Sequence, residues 1–388
     1  MKKIGVYLKH LYTLGGGEKH TIDLIVELTK LNDYSIDILT HDNISIQEII
    51  ERFGFDKGSF TNIRIIIIKS WLNIIVFKSI RHVILISNIS RKYDLFVFLA
   101  NGRYLCPRSR AKKSLYLAQI PTLITQGERL ISNIFLLPLY LLGFDLKRKS
   151  YDAILPISKF TQYHYQIRYP NIPLYLLYPK ASLQLGSFKK NVILNVGRFF
   201  SGGHCKNQME LINAYKKIER TIPGWRLVLV GGISDKVEDL IYFNQCLDAS
   251  IGHNIEIHKN ISYIELMKLY ESAKIYWHAT GLNYNEATHP FLMEHFGITT
   301  IEAMSAGAVP IVINKGGQPE IVDDEKNGFL FNDINELLSK TISIISQPER
   351  LFVISEYARL RAQSFNGDAF TSGVINISKK FLDSDFSR

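Results

Sequence analysis

Two carboxylates stand eight positions apart around the predicted start of a helix, with Glu294 in the loop before it and Glu302 about one turn inside it. Residues 296–299 form the predicted turn into this helix, and Gly307 ends the helix before an apolar strand. Carboxylate oxygens accept hydrogen bonds from hydroxyl groups. Two carboxylates at this spacing can therefore hold a polyhydroxyl ligand at two points.

The helix start between the carboxylates suits a phosphate group. Its first backbone N–H groups have no partner within the helix, and we expect Thr299 or Thr300 to cap some of them. The aligned peptide dipoles add a partial positive charge at the same place. A ligand with phosphates on these amides and hydroxyls on both carboxylates has the layout of a nucleotide sugar.

This segment resembles the signature of glycosyltransferase family 4, which comprises retaining enzymes of the GT-B fold. The family motif is a Glu, seven residues, a second Glu, an Ala-Met pair and a Gly before a strand, and residues 294–313 carry all of these elements. The resemblance implies that Glu302 binds the ribose of the donor, and that Glu294 is a catalytic residue that binds the hydroxyls of the donor sugar. The donor-binding residues expected here are Glu294, Phe296, Gly297, Ile298, Thr299 and Glu302.

Two cations follow the first predicted strand of the second half of the chain. Arg198 comes directly after the strand that ends at Gly197, and Lys206 precedes the next predicted helix. Such a pair can clamp a pyrophosphate and offset the charge on a departing nucleoside diphosphate. The resembled family has an Arg and a Lys at these points, so we expect Arg198 and Lys206 to serve both donor binding and catalysis.

A glycine-rich turn, Gly15 to Gly17, separates the first predicted strand from the first predicted helix. Glycine lets backbone amides approach a ligand closely, and the turn lacks the G-x-G-x-x-G pattern of dinucleotide-binding proteins. Its placement resembles the first-loop glycine motif of the same family. We therefore expect Gly16 and Gly17 to meet the donor phosphate.

Gln119 marks a departure from the family pattern. Many relatives have a His at this place, two residues before Pro121, facing the transferred sugar. Glutamine can hydrogen-bond a sugar hydroxyl but cannot act as a general base. We place Gln119 among the catalytic residues, with His10 and His20 as nearby alternatives. In this family the leaving phosphate is expected to help deprotonate the acceptor, without an enzyme nucleophile.

His278, which ends a predicted strand of the second half, has two interpretations. A structural role and a contact with a ligand both stay open for it.

The 388 residues exceed what one hydrophobic core usually supports, and strands alternate with helices along both halves. The prediction is an α/β protein of GT-B type: two Rossmann-like domains face each other across a cleft, and a C-terminal helix crosses back to the first domain. We expect an acceptor-side domain at 1–180, a nucleotide-sugar domain at 181–364 and the crossover helix at 365–388. One strand, Ile63 to Ile68, is predominantly apolar and suits burial on both faces.

Composition is that of a globular protein, with 46% hydrophobic residues, 21% charged residues and a formal net charge of +10. Basic clusters at 108–113 and 147–149 can serve an anionic membrane or a phosphorylated substrate, whereas no nucleic-acid-binding module is apparent. Leu130 to Phe144 is apolar but contains Pro138 and is too short to span a bilayer. With the basic run 147–149 it predicts docking on an anionic leaflet or a lipid-linked acceptor; the alternative is a core helix.

Three cysteines, Cys106, Cys205 and Cys246, form neither a disulfide framework nor a metal-ligand spacing. The N-terminus lacks a secretory signal, so we expect a cytoplasmic protein, with peripheral docking on the inner face of the membrane. No metal or cofactor is expected, because the resemblance implies that Arg198, Lys206 and helix amides replace a metal.

These features predict a retaining glycosyltransferase that moves a sugar from a nucleotide-sugar donor to a glycan or lipid-linked acceptor, in cell-surface polysaccharide or glycoconjugate biosynthesis. Two alternatives stay open. One is a GT-B nucleotide-sugar epimerase. The other is a catalytically degenerate GT-B subunit that binds a glycan or a partner, which the Gln119 departure favours and the intact carboxylates and cations disfavour.

Overall fold

The computed structural model describes residues 1–11, 15–31, 34–68, 75–99, 106–121, 150–182 and 189–383. The chain forms two compact units. The first consists of Met1–Lys180 together with Asp368–Arg388, and the second of Ala181–Gly367.

The first unit contains a six-stranded parallel sheet in the order β3-β2-β1-β4-β5-β6. The chain runs outward from β1 in one direction, returns, and then runs outward in the other, as in doubly wound folds. Its strands are β1 (Lys3–Tyr7), β2 (Ser35–Thr40), β3 (Ile63–Ile67), β4 (Leu95–Leu99), β5 (Lys113–Ala118) and β6 (Ala153–Pro156).

Helices connect these strands, and local sequence sets their ends. The second helix shows this most clearly: Ser45 and Glu48 form a reciprocal capping box at its start, and Gly54 ends it in the left-handed conformation, with φ of 69°. Among the described residues of this part of the chain, the helices are α1 (Gly16–Leu31), α2 (Ile46–Phe53), α3 (Ile75–Ser90) and α4 (Lys159–Arg168).

The prediction that Ile63 to Ile68 is buried on both faces is wrong. Ile66 and Ile67 are 38% and 41% exposed. The reason is position, because β3 is the terminal strand of its sheet and pairs only with β2. An apolar run identifies the strand, but it does not tell whether neighbouring elements cover both faces.

The second unit repeats the same topology, with a parallel sheet in the order β12-β11-β10-β7-β8-β9. Its strands are β7 (Lys190–Val196), β8 (Arg226–Gly231), β9 (Ile255–Lys259), β10 (Ala273–His278), β11 (Val309–Ile313) and β12 (Phe329–Phe331). Its helices are α5 (Gln208–Ile218), α6 (Val237–Ser250), α7 (Tyr263–Ser272), α8 (Ile298–Ser305), the single turn α9 (Gln318–Ile321), α10 (Ile334–Ile345) and α11 (Pro348–Ala362).

A fully buried tryptophan, Trp277, stands on the central strand β10 of this second sheet. Its indole N–H donates to the Thr341 hydroxyl on α10 (3.1 Å), which satisfies the polar atom that burial would otherwise leave without a partner. Trp277 therefore belongs to the hydrophobic core of this unit. Because the next residue is His278, this packing also fixes the end of β10.

The last helix, α12 (Gly367–Ser378), packs within the first unit. Phe370 meets the ring of His20 edge-on at 5.6 Å, and the Thr371 hydroxyl donates to Glu27 on α1 (3.1 Å). The predicted return of the C-terminal helix to the first domain is confirmed. The chain stays with the second unit as far as Phe365, whose carbonyl accepts from the Ala181 amide (3.2 Å).

The proposed membrane segment, Leu130 to Phe144 with the basic run 147–149, lies outside the described residues. Within the ranges that the structure describes, no helix is long and apolar enough to cross a bilayer.

Candidate functional site

The predicted donor residues of the second unit gather at the carboxyl ends of three adjacent strands, β7, β10 and β11. Arg198 follows β7, His278 ends β10, and the turn at Gly316 and Gly317 follows β11. The strand order reverses between β7 and β10, and ligands of doubly wound sheets bind at such a reversal. The fold therefore brings together residues that are more than 100 positions apart in sequence.

Helix α8 begins at Ile298, two positions earlier than a cap at Thr299 allows, so the capping prediction is wrong. Gly297 occupies the N-cap with φ of 119° and offers no side chain. Only glycine suits this backbone, and a Cβ here would also lie 2.6 Å from the Gln318 amide nitrogen. The two threonines make side-chain contacts elsewhere: Thr299 accepts from the Tyr276 hydroxyl (2.8 Å), and Thr300 donates to Gln318 (3.0 Å).

No side chain caps this helix start, which leaves its first amides available to an anion. Phe296, in the turn before it, is 2% exposed and packs edge-on against Phe365. Of the predicted donor residues in this turn, Phe296 can therefore contact a ligand only through its backbone.

Glu302 lies one turn inside α8, as predicted, and is 9% exposed. The Tyr270 hydroxyl donates to its Oε2 atom at 3.1 Å. Burial and the neighbouring carboxylate raise the pKa of Tyr270 well above its ordinary value, so the hydroxyl stays protonated and can donate. Sequence reasoning missed Tyr270, because only the packing of α7 against α8 reveals its contact.

Glu294 is held at one carboxylate oxygen and at the backbone. Its Oε2 atom accepts from the Lys206 ammonium (2.6 Å) and from Nε2 of His278 (2.9 Å). The Gly317 amide donates to the Glu294 carbonyl (2.7 Å), and His204 donates to the preceding carbonyl, that of Met293 (2.7 Å).

Charge governs the ionisation of this cluster. Burial alone would raise the pKa of Glu294, but the Lys206 charge and the His278 hydrogen bond hold it well below its ordinary value. Burial lowers the pKa of His278, against the opposing effect of Glu294. At neutral pH the cluster therefore contains a carboxylate, an ammonium and a neutral imidazole.

The two predicted cations have different surroundings. Lys206 passes over Gly197, where a Cβ would lie 2.6 Å from the lysine Cγ, and its ammonium ends on Glu294. Arg198 is exposed, and its guanidinium makes no hydrogen bond or ion pair with any residue that the structure describes. The Gln208 amide donates to the Gly197 and Arg198 carbonyls (3.0 and 3.1 Å), which fixes the backbone that projects Arg198.

A further lysine, Lys315, organises the segment between β10 and Glu294, residues 279–293, which we call the insertion. Sequence reasoning missed this lysine. Its ammonium donates to three carbonyls of that insertion at 2.8–3.2 Å, while Glu286 of the insertion accepts from the Gly316 amide (2.5 Å). The insertion is thus fastened to the turn that also holds the Glu294 carbonyl. The three carbonyls belong to Gly281, Leu282 and Tyr284.

In the first unit, Gln119 is engaged with the glycine turn. Its amide donates to the Gly17 carbonyl (2.7 Å) and to the Thr21 hydroxyl (3.3 Å). A Cβ at Gly17 would collide with the Gln119 carbonyl oxygen, so the glycine is required by close approach. Gly16 begins α1 and keeps its amide at the helix start.

The two histidines considered beside Gln119 differ in access. Burial lowers the pKa of His20 to about 3, with a smaller effect of Lys19, and the ring packs against Phe370. The alternative of His20 as a reacting group is therefore wrong. His10 lies at the surface and contacts Asp42 at 3.1 Å.

Among the described residues, no group of three or more His, Cys, Asp or Glu side chains is placed to hold a metal ion.

Comparison with known proteins bears on the second unit and on the fold. Residues 182–361 match the family model for glycosyl transferases group 1. Two curated relatives are a GDP-Man:Man(3)GlcNAc(2)-PP-Dol alpha-1,2-mannosyltransferase of Dictyostelium discoideum, 28% identical over 54% of this chain, and a trehalose synthase of Pyrococcus horikoshii, 30% identical over 42%. The matches cover 43% and 37% of those proteins, so this chain spans less than half of their length.

Solved structures show the same architecture over the whole chain. A glycosyltransferase from Rickettsia africae superposes with a TM-score of 0.71 at 18% identity, covering 99% of each chain. WaaG, a glycosyltransferase involved in lipopolysaccharide biosynthesis, gives a TM-score of 0.66 at 12% identity, covering 98% of this chain and all of that one. The fold is therefore GT-B, and residues 182–361 form a glycosyl transferases group 1 domain. The family resemblance drawn from residues 294–313 is confirmed.

Two glycines with left-handed backbones provide a test of the turn that holds Glu294. Gly316 has φ of 64° and a Cβ there would run into the Glu294 carbonyl, whereas Gly252 has φ of 78° and nothing within 4 Å. We expect Gly252→Ala to lower the free energy of unfolding by about 1 kcal/mol, from backbone strain alone. Gly316→Ala should lower it by at least about 1 kcal/mol more, because the Glu294 backbone must move. Equal losses in chemical denaturation would contradict this account of the turn.

Proposed function

We propose that this chain is a retaining glycosyltransferase that transfers a hexosyl or related group from a nucleotide sugar to a glycan or lipid-linked acceptor. The observation that carries the proposal is the arrangement around α8 within a glycosyl transferases group 1 domain. A helix start without a side-chain cap lies between two carboxylates, each oriented by its own hydrogen-bond donors. The two carboxylates, which can accept hydrogen bonds from hydroxyl groups, thus lie on either side of an anion site. This is the order that a nucleotide sugar requires.

In this proposal Glu302 binds the ribose hydroxyls and the amides at 297–299 bind phosphate. Arg198 and Lys206 bind the diphosphate and stabilise the charge that develops on it as it leaves. The guanidinium of Arg198 is exposed and pairs with no residue that the structure describes, which suits bidentate phosphate binding. Because Lys206 also contacts Glu294, its charge can serve the diphosphate while it keeps the carboxylate ionised.

The proposed chemical step breaks the bond between the anomeric carbon and the diphosphate oxygen. An acceptor oxygen forms the new bond on the same face, and its proton passes to the departing phosphate. This route needs no side-chain base at position 119, which fits the engagement of Gln119 with Gly17. We propose no metal or cofactor in the step, since the two cations and the helix amides offset the charge of the diphosphate.

The donor and acceptor are proposed only as classes. One similar protein is named for GDP-Man, and another, Alr3699/HepE of Anabaena, was solved with UDP and glucose, at 14% identity and a TM-score of 0.69. Those names span two nucleobases, so they support a nucleotide sugar without selecting one. A role in cell-surface polysaccharide or glycoconjugate biosynthesis is proposed from the family resemblance.

A panel of nucleotide sugars tests the proposal most directly. A ligand that binds only the folded protein stabilises it, by about 2.7 kcal/mol at 100 times its Kd, so the matching donor should raise the Tm. Turnover of that donor with retained anomeric configuration would support the proposal. Donor binding without turnover would instead favour the degenerate subunit, for which the specific observation is glutamine at position 119. Epimerisation of the donor sugar without transfer would favour the epimerase.

Substitution of the two carboxylates should weaken donor use, because each would lose a charge-assisted hydrogen bond to a hydroxyl. We expect Glu294→Gln and Glu302→Gln each to lower kcat/KM for the identified donor by about 10- to 100-fold, equivalent to roughly 1.5–3 kcal/mol. Glu302→Gln should also weaken the binding of the free nucleoside diphosphate, because that ligand carries the ribose. Glu294→Gln should leave this binding unchanged. Glu320→Gln, on the turn α9, is the control. An unchanged kcat/KM in Glu294→Gln would show that its assignment is wrong.

Arg198 should act on the diphosphate rather than on the sugar. We expect Arg198→Ala to lower the affinity for the nucleoside diphosphate product at least about tenfold, because the substitution removes a charged hydrogen-bond donor. Isothermal titration of the product measures this directly. Arg226→Ala serves as a control. Arg226 pairs with Glu256 at the start of β8, at the end of the sheet opposite to the carboxyl ends that form the site. Equal product affinity in the wild type and Arg198→Ala would remove the diphosphate clamp.

Membrane docking is proposed from the sequence of residues 130–149 alone. An apolar segment beside Lys147, Arg148 and Lys149 can bind an anionic leaflet, with about 1 kcal/mol for each basic residue near the surface. We expect sedimentation with anionic liposomes at low salt and release at high salt. A folded protein that fails to sediment at low salt would leave the core-helix interpretation of Leu130 to Phe144.

A further inference from the structure

Glu294 uses its two carboxylate oxygens differently. Both side-chain donors, Lys206 and His278, reach Oε2, at 2.6 and 2.9 Å. Oε1 makes no hydrogen bond with the residues that the structure describes, although the side chain is only 15% exposed. One oxygen is therefore fixed by the protein, and the other remains available to accept from a ligand.

The hydrogen-bond geometry assigns the tautomer of His278. The ring is 1% exposed, and its Nε2 atom faces the carboxylate oxygen, so a lone pair on Nε2 would be repelled. The hydrogen must lie on Nε2, where it donates to Glu294. Nδ1 is buried without a hydrogen-bond partner among the described residues, and the Thr280 hydroxyl lies 3.2 Å from Nε2.

The two donors differ in how firmly they direct Glu294. Lys206 carries its ammonium on a flexible four-carbon chain with three equivalent donors, so it supplies charge with little directional constraint. His278 has a planar ring at the end of β10, which is buried and hydrogen-bonded to the glutamate. Because the backbone on either side of Glu294 is also held, by His204 and Gly317, the imidazole sets the remaining rotation of the carboxylate.

We propose that His278 is a positioning residue, whose Nε2–H fixes Oε2 of Glu294 so that Oε1 faces the hydroxyl groups of the transferred sugar. The inference rests on the proposed function and deepens it, by assigning a residue to the sugar end of the site. It also resolves the two interpretations of His278 left open by the sequence, because the side chain acts on a ligand through Glu294 and not by direct contact.

The first test separates sugar binding from diphosphate binding. His278→Leu removes the donor at similar volume, and His278→Gln retains an amide donor. We expect His278→Leu to lower kcat/KM for the nucleotide sugar about 10- to 100-fold, which corresponds to the loss of one hydrogen bond to a charged group. Affinity for the free nucleoside diphosphate should change less than about threefold, because that ligand lacks the sugar. His278→Gln should recover part of the loss.

The control is His258→Leu at the partly exposed ring on β9, whose kcat/KM should match the wild type. Unchanged kcat/KM in a folded His278→Leu variant would overturn the positioning role while leaving the proposed function intact. An equal loss of diphosphate affinity would also overturn it, since that result indicates a general structural role. A wild-type protein without any nucleotide-sugar binding would instead overturn the proposed function.

A second measurement does not depend on turnover or on the stability of His278→Leu. Nitrogen-15 NMR of the imidazoles, with His278 assigned by its absence in His278→Gln, reports which ring nitrogen carries the hydrogen. We expect a neutral ring protonated at Nε2 at pH 7, and a shift of this signal in Glu294→Gln. Lys206, Glu294 and His204 are the titratable groups that face this cluster. A ring protonated at Nδ1, or a signal unaffected by Glu294→Gln, would overturn the assignment.

Discussion

The buried ion pair between Glu294 and Lys206 is the interaction on which the rest of the site depends. Removing two charges from water is unfavourable, and their attraction compensates only when geometry is good and further hydrogen bonds satisfy the remaining atoms. Here the 2.6 Å contact is supplemented by the His278 imidazole, and the adjacent carbonyls are held by His204 and Gly317. These partners reach the site from the carboxyl ends of three strands, β7, β10 and β11, so the parallel sheet must form before the charges can be paired.

The helix that carries the second carboxylate is held at its far end by a different set of contacts. Arg359 and Ser355 on α11 donate to the carbonyl of Ser305, the last residue of α8, and to that of Gly307 just beyond it. Arg361 donates to the carbonyl of Ile321, the last residue of α9. Helix α11 therefore satisfies carbonyls that two site helices leave without intrahelical partners, while their starts remain uncapped by side chains. The asymmetry suits anion binding, because the stabilising contacts lie away from the helix starts.

Sequence alone predicts strands closely, because an apolar run between turn residues is a local property: the strand predicted at Ile63 to Ile68 spans Ile63–Ile67. It also predicts where Glu294 and Glu302 lie relative to the start of α8, since their spacing belongs to a single motif. It fails where another segment decides the outcome. Thr299 is a sound cap by composition, but Tyr276 and the positive φ of Gly297 shift the helix start. The contact of Tyr270 with Glu302 and that of Lys315 with the insertion cross 32 and 31–34 positions, and no local pattern indicates either one.

Gln119 shows how structure changes the meaning of a departure from a motif. The family pattern alone shows only that a glutamine stands where many relatives have a histidine. In the first unit it is one half of a matched pair, since its amide holds the Gly17 carbonyl and its own oxygen occupies the space that any side chain at position 17 would need. The glutamine thus holds the first turn of α1, and the glycine permits the contact. Under the proposed function, the acceptor proton leaves with the diphosphate, so a residue at position 119 has to hold this turn rather than move a proton.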